Sequence, residues 1–257
     1  MGSERTTVSF DRTVGELVAE DYARAAVFAE FGIDFCCGGD RSVARACAEA
    51  GVQPEAVGQA LAALGRSDPQ RPDPRGWSLG RLTDHIVTTH HANVRRMIPH
   101  LRQWTATISR VHGQRHPELH EVERLASDLA DDLEKHMLDE ESRLFPLISR
   151  LDEPAGGDAA QRARPGALIE TLEDDHAHAG ALARRLREVT DHYVPPSDAC
   201  STYTATFALL KEFEEDLHRH VHLENNILFP RARARWARGA AAVSSAPAHD
   251  RTGARSG

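Results

Sequence analysis

Residues 136–146 read HMLDEESRLFP, and residues 220–230 read HVHLENNILFP. Five of the eleven positions agree: His136 with His220, Glu140 with Glu224, Leu144 with Leu228, Phe145 with Phe229, and Pro146 with Pro230. The copies are offset by 84 residues, and upstream of them His91 and His176 lie 85 residues apart. A motif that repeats together with its distance to a separate His indicates a duplicated helical hairpin. His and Glu four apart sit about 40° apart around an α-helix and one turn along it, so both side chains reach one point beside the helix. One such pair alone is most simply a solvated ion pair. Two pairs facing each other, with one more His from each remaining helix, give four imidazoles and two carboxylates around a shared space.

A carboxylate has two oxygens and can bridge two cations. Two bridging Glu and two His per metal leave positions for a solvent bridge and a small ligand. Mixed imidazole and carboxylate ligation suits iron or manganese better than zinc. The order His-x-x-x-Glu differs from the Glu-x-x-His of ferritin-like bundles. The expected metal ligands are His91, His136, Glu140, His176, His220 and Glu224.

Around these motifs the helical periodicity predicts four long helices, over about 78–110, 117–150, 165–192 and 198–236. Short connections make them an antiparallel bundle, assigned to residues 77–236. Residues 65–76, GRSDPQRPDPRG, have three prolines and no apolar residue and read as a linker. Residues 1–64 form a small helical domain. Thr13 and Glu16 fit a capping box, helical spacing follows to about Phe28, and Gly32 is a plausible stop. Two short helices are expected at about 41–50 and 54–64. The tail, 237–257, is read as disordered.

The chain has 257 residues, 40% hydrophobic and 5% aromatic, which favours an all-α core of aliphatic side chains. A net charge of -8 disfavours nucleic acid as a partner. No apolar run spans a bilayer and the N-terminus lacks a hydrophobic signal core, so the expectation is a cytoplasmic protein with no membrane partner. Four Cys in this length do not make a disulfide scaffold.

The vicinal Cys36 and Cys37 stand at a compact turn, expected to be exposed, with Gly38 and Gly39 behind them. They can offer two thiolates for metal, nitrosyl, persulfide or exchange chemistry. They can equally be small apolar fillers packed with Phe31 and Phe35. Cys47 and Cys200 read as buried helix residues. His90 adjoins His91, and neighbouring helix positions point about 100° apart, so only one is expected to face the core. His85, His178, His218 and His222 read as surface groups. Glu141, Glu173 and Asp175 are candidates to hydrogen-bond ligating imidazoles.

The Cys36-Cys37-Gly38-Gly39 turn ahead of the doubled His-Glu-Leu-Phe-Pro bundle resembles the iron–sulfur cluster repair di-iron (RIC) proteins of the YtfE, ScdA and DnrN type. The resemblance covers about residues 10–235. It implies a hemerythrin-like four-helix bundle preceded by a small helical N-terminal domain of ScdA N-terminal type. It implies two non-heme iron ions, oxo-bridged, on the six residues named above, with His91 following Asp84-His85-Ile86 and His176 following Asp175. Two departures from the family pattern are Thr89, in place of an aromatic residue, and Asp175, in place of Glu. The implied role is restoring clusters damaged by nitric oxide or oxidative stress by supplying iron, with damaged iron–sulfur proteins as clients and Cys36 and Cys37 in thiol or iron transfer. Two alternatives stand beside it: reduction of nitric oxide at the di-iron site, and a hemerythrin-type sensor or carrier of oxygen or nitric oxide. A homodimer is left open.

Overall fold

The computed structural model describes residues 9–64, 73–152 and 165–244. Among them there is no β-strand, and eight helices account for the fold. Four short ones form the N-terminal unit: α1 (Val14–Glu20), α2 (Arg24–Glu30), α3 (Val43–Ala50) and α4 (Pro54–Ala63). The expected capping box starts α1. The Thr13 hydroxyl accepts from the Glu16 N–H, and the Glu16 carboxylate accepts from the Thr13 N–H, each at 3.2 Å. The sequence predicts one continuous helix here, whereas the chain breaks at Asp21. Its backbone is extended and its carboxylate accepts from the Ala23 N–H, which starts a second helix. Gly32, at φ +69°, ends α2 and lets the Ile33 N–H reach back to the Phe28 carbonyl. The N-termini of α1 and α3 are tied together. Val14 and Gly15 donate to the Arg41 and Gly39 carbonyls, and Val43 donates to that of Arg12.

Four rods form the bundle. The first, α5, runs Leu79–His85, a π turn Ile86–His91, and Ala92–His112. The second, α6, runs Glu118–Asp139, a π turn Glu140–Leu144, and Phe145–Ser149. The third, α7, is Pro165–Val189. The fourth, α8, runs Ser201–Leu223, a π turn Glu224–Leu228, and Phe229–Ser244. In sequence-neighbour order they pack as an antiparallel ring, with α8 closing on α5. The apolar stripe of α6 (Leu119, Val122, Leu125, Ala126, Leu129, Leu133, Met137) carries His136 along with it. The stripe of α8 (Tyr203, Phe207, Leu210, Phe213, Leu217, Val221) carries His220. His136 and His220 are therefore buried by the periodicity that builds the core.

Pro146 and Pro230 have no N–H for the carbonyl four residues back. The π turn just before each absorbs that defect without ending the rod. Beyond it, Leu144, Phe145, Leu228 and Phe229 fill a second apolar cluster with Leu82, Ile86 and Ile169. It closes that end of the bundle, as the sequence suggests.

The linker and tail assignments need amendment where they are described. Residues Pro74–Gly76 form a turn capped by Asp73, against α1. α8 extends to Ser244, past the expected tail boundary at 237, and Arg231, Arg233 and Arg235 tie its preceding stretch to Trp77, Glu173 and Leu151. Residues 65–72 and 245–257 lie outside the described residues.

Candidate metal centre

The six expected ligands converge at the π-turn level of the bundle, and all six are buried. His91, His220, Glu140 and Glu224 form one group of potential ligand atoms, and His136, His176, Glu140 and Glu224 form a second. The carboxylates divide between them. Glu140 Oε2 lies 3.2 Å from His91 Nε2, and Glu140 Oε1 lies 3.3 Å from His136 Nε2. Glu224 Oε1 lies 3.1 Å from His220 Nε2, and Glu224 Oε2 lies 3.1 Å from His176 Nε2. Each Glu thus shows one oxygen to each group.

Within a group the imidazole tips meet: His91 and His220 Nε2 at 3.2 Å, His136 and His176 Nε2 at 2.9 Å. Two donors each about 2.1 Å from one first-row metal and at right angles lie roughly 3.0 Å apart. The spacing therefore suits a cation between each pair. All four carboxylate oxygens of Glu140 and Glu224 are buried and receive no hydrogen bond, although imidazole nitrogens stand beside them. Leaving four such oxygens unsatisfied in a dry core is costly unless a cation takes them. By this test the residues fit a metal pair.

The outer nitrogens are mostly anchored. His91 Nδ1 donates to Glu141 at 2.6 Å, and Arg95 holds the same Glu141 oxygen at 2.8 Å. His136 Nδ1 makes a long contact of 3.5 Å with Asp175. His176 Nδ1 donates to the Asn225 amide oxygen at 2.8 Å. His220 Nδ1 has no partner. Anchoring Nδ1–H leaves Nε2 as the free lone pair and fixes the ring orientation. Phe145 stacks on His91 and Phe229 on His176, at 5.7 and 5.9 Å between ring centres.

In the metal-free protein the charges divide unevenly. Burial pulls His136 down, but Glu140 and Glu224 outweigh it and raise it to about 9. His91 is raised too, as Glu140 overcomes its burial. Burial, with His91 opposing, holds His220 below its ordinary value despite Glu224. Glu140 and Glu224 are both held down: burial works against it, and the surrounding imidazoles win.

Several expectations are corrected. Both His90 and His91 are buried. The π turn spreads successive side chains differently from an α-turn. α8 then faces His90, whose Nδ1 lies 2.9 Å from Asp216 and whose ring stacks on that of His220 at 5.8 Å. His222, read as a surface group, is buried against Tyr22 and Phe35 of the N-terminal unit and is held down to about 4 by burial. His218 also packs on Phe35. His178 is exposed, as expected. Of the three candidate acids, Glu141 and Asp175 face imidazoles, while Glu173 pairs with Arg233. Cys47 is buried, but Cys200 is exposed: it caps α8 rather than lying within it, and stands 3.2 Å from His112 Nε2.

The cysteine turn is not an exposed one. Cys36 is buried and Cys37 half-buried, because the turn is docked on the bundle beside the metal centre. The Cys36 and Cys37 sulfurs are 3.7 Å apart, and Asp34 accepts from both backbone N–H groups at 3.0 Å. The interaction with Cys37, added to burial, raises the Cys36 thiol well above its ordinary value. Asn226 donates to the Phe35 and Cys36 carbonyls at 3.3 and 3.1 Å. A Cβ on Gly15 or Gly39 would fall 2.1 or 2.2 Å from the Asn226 side-chain oxygen. The glycines thus serve close approach, to a side chain of the bundle motif itself. Asn225 and Asn226 were missed by sequence reasoning. The available signal was the repeat alignment, which places Asn225 opposite Glu141.

A bundle with two buried His–Glu groups is a metal-binding protein of the hemerythrin class, and residues 82–232 match the hemerythrin HHE cation-binding domain. Residues 10–65 match ScdA_N, a domain of unknown function. Over 224 residues the chain is 34% identical to the iron–sulfur cluster repair protein YtfE of Enterobacter sp. (strain 638), spanning 87% of this chain and 97% of the relative. It is 35% identical to the protein of that name from Musicola paradisiaca (strain Ech703), over 86% and 96% of the two chains. With that of Escherichia coli O157:H7 the identity is 33%, over 87% and 97%. The chain belongs to the YtfE family of iron–sulfur cluster repair proteins. No helix among the described residues is long and apolar enough to cross a membrane.

Proposed function

We propose that His91, His220, His136, His176, Glu140 and Glu224 hold two iron ions, and that the protein supplies iron to iron–sulfur clusters damaged by nitric oxide or oxidative stress. The observation that carries this reading is the set of four buried carboxylate oxygens without donors, shared between two imidazole pairs. The imidazole and carboxylate donor set suits iron, and the names of the relatives point the same way. When bound, ferrous iron is the cargo for an iron-depleted cluster, and four protein donors per ion leave positions for nitric oxide or oxygen. The chain's own part is to bind and release. Glu141, Asp175 and Asn225 orient three imidazoles, while Phe145 and Phe229 exclude water from one side. Cys36 and Cys37 take the role of thiol acceptors for outgoing iron. Support for this is the Cys37 sulfur, which lies 3.4 Å from the backbone carbonyl of His176. The reading places the protein in the cytoplasm with damaged iron–sulfur proteins as its clients.

Transfer is the test. Iron-loaded protein should restore activity to a nitric oxide-damaged cluster enzyme in proportion to the iron it loses. Equal restoration by His91→Ala or Glu224→Ala would overturn the proposal.

A further inference from the structure

The residue that follows each bridging carboxylate reaches across to the imidazole of the neighbouring hairpin helix. In the first hairpin this is Glu141, which anchors His91 and faces solvent-side Arg95. In the second it is Asn225, and an amide can do what a carboxylate cannot: accept at one end and donate at the other. Its oxygen accepts from His176 Nδ1 at 2.8 Å, and its nitrogen donates to the Cys36 carbonyl at 3.4 Å. A second tie runs in parallel, since the Cys37 thiol donates to the His176 carbonyl at 3.4 Å. That thiol lies 3.3 Å from where a Cβ on Gly180 would stand, so α7 can approach it because residue 180 has no side chain. His176 is therefore fastened to the cysteine turn through both its ring and its backbone. None of the contacts of His91 or His220 involves the turn.

We infer that Asn225 is a positioning residue that ties His176 to the Cys36-Cys37 turn, so that a ligand bridging the two thiols loosens the His136–His176 pair ahead of the His91–His220 pair. The inference rests on the proposal that these residues hold two irons. The sulfurs are close enough to share one bridging atom, and they open into a cavity of about 160 Å³ lined also by Gly180, Arg184 and His218. A bridge takes the Cys37 hydrogen from the His176 carbonyl and shifts the Cys36 backbone that Asn225 holds. His176 then loses its anchors while His91 keeps Glu141. Loss of such an outer contact lowers metal affinity on the order of tenfold to 100-fold. One iron should therefore leave before the other, on the side where the thiols wait.

Phenylarsine oxide is a suitable probe. It condenses with two thiols, forming two arsenic–sulfur bonds and releasing water, with no change of oxidation state in the iron or sulfur. Ferrous-loaded full-length protein is treated with it, and iron release to a ferrous chelator is followed in time, with Mössbauer spectra before and after. The expected result is release of about half the iron roughly tenfold to 100-fold faster than from untreated protein, with loss of one of two ferrous signals. Asn225→Leu should show the fast half without the reagent. Asn225→Asp keeps the acceptor for His176 but loses the donor to Cys36, so it should hold both irons and respond less to the reagent. The Cys36→Ser, Cys37→Ser double variant should not respond at all. The treated unmodified protein decides the matter even if a variant misfolds. Equal acceleration of both halves, or of neither, overturns the inference alone. A protein that never loads two irons fails the two-iron reading and takes the inference with it.

Discussion

The two hairpins of the bundle carry the same His and Glu residues in different surroundings. In the first hairpin Glu140 is followed by Glu141 and Ser142, at a surface where Arg95 completes the Glu141 contact. In the second hairpin Glu224 is followed by Asn225 and Asn226, both of which donate to the cysteine turn. Where the N-terminal unit docks, charged groups would have been buried without partners, and amides satisfy backbone carbonyls there at lower desolvation cost. Duplication kept the His and Glu positions, and the halves diverged where only one of them has a neighbour.

The largest effects test what the halves share. Glu140→Ala and Glu224→Ala should each abolish binding of both metals, because either carboxylate reaches both groups. His220→Ala should spare more metal than either. Metal analysis after gel filtration checks this, and a Glu224→Ala protein retaining one tight metal would break the equivalence. Next come the stacked rings. Phe145→Ala and Phe229→Ala should each cost about 3–5 kcal/mol in the denaturant unfolding of the metal-free protein, since both rings are buried in the same cluster. A large inequality between them would show that the second apolar cluster is not shared evenly.

A smaller change addresses the half that docks. Gly39→Ala puts a methyl against Asn226 and the Phe35 carbonyl, which should cost about 1–3 kcal/mol and speed the reaction of Cys37 with a thiol reagent. Unchanged thiol reactivity would mean the turn is held by something other than Asn226.

The last concerns protons. In the metal-free protein His136 is raised from 6.5 to about 9, so its contribution to stability is complete below 6.5 and is lost as pH rises through 9. A metal needs the neutral ring. Affinity should therefore fall up to about tenfold per unit as pH drops from 9 towards 6.5. Calorimetry at pH 7.5 in buffers of different ionisation heat should show proton release on metal uptake, reduced in His136→Ala. No release would mean that His136 is already neutral at that pH in the metal-free protein.

How much was legible follows the same division. The two motif copies and the matched 84- and 85-residue offsets, with the rule that residues four apart share a helix face, were enough to select His91, His136, Glu140, His176, His220 and Glu224 and the four-helix class. That information is local and periodic, and a helix expresses it wherever it packs. The burial of His90 and His222, the docking of Cys36 and Cys37, and the work of Asn225 and Asn226 were not legible. Each depends on elements far apart in the chain meeting in space, as His90 meets Asp216, 126 residues on, and Asn226 meets Cys36, 190 residues back. The sequence by itself determined which side chains gather at the centre, because helical geometry fixes their faces. Only the tertiary structure decided which hairpin touches the thiols, because docking depends on surfaces that no single periodicity describes.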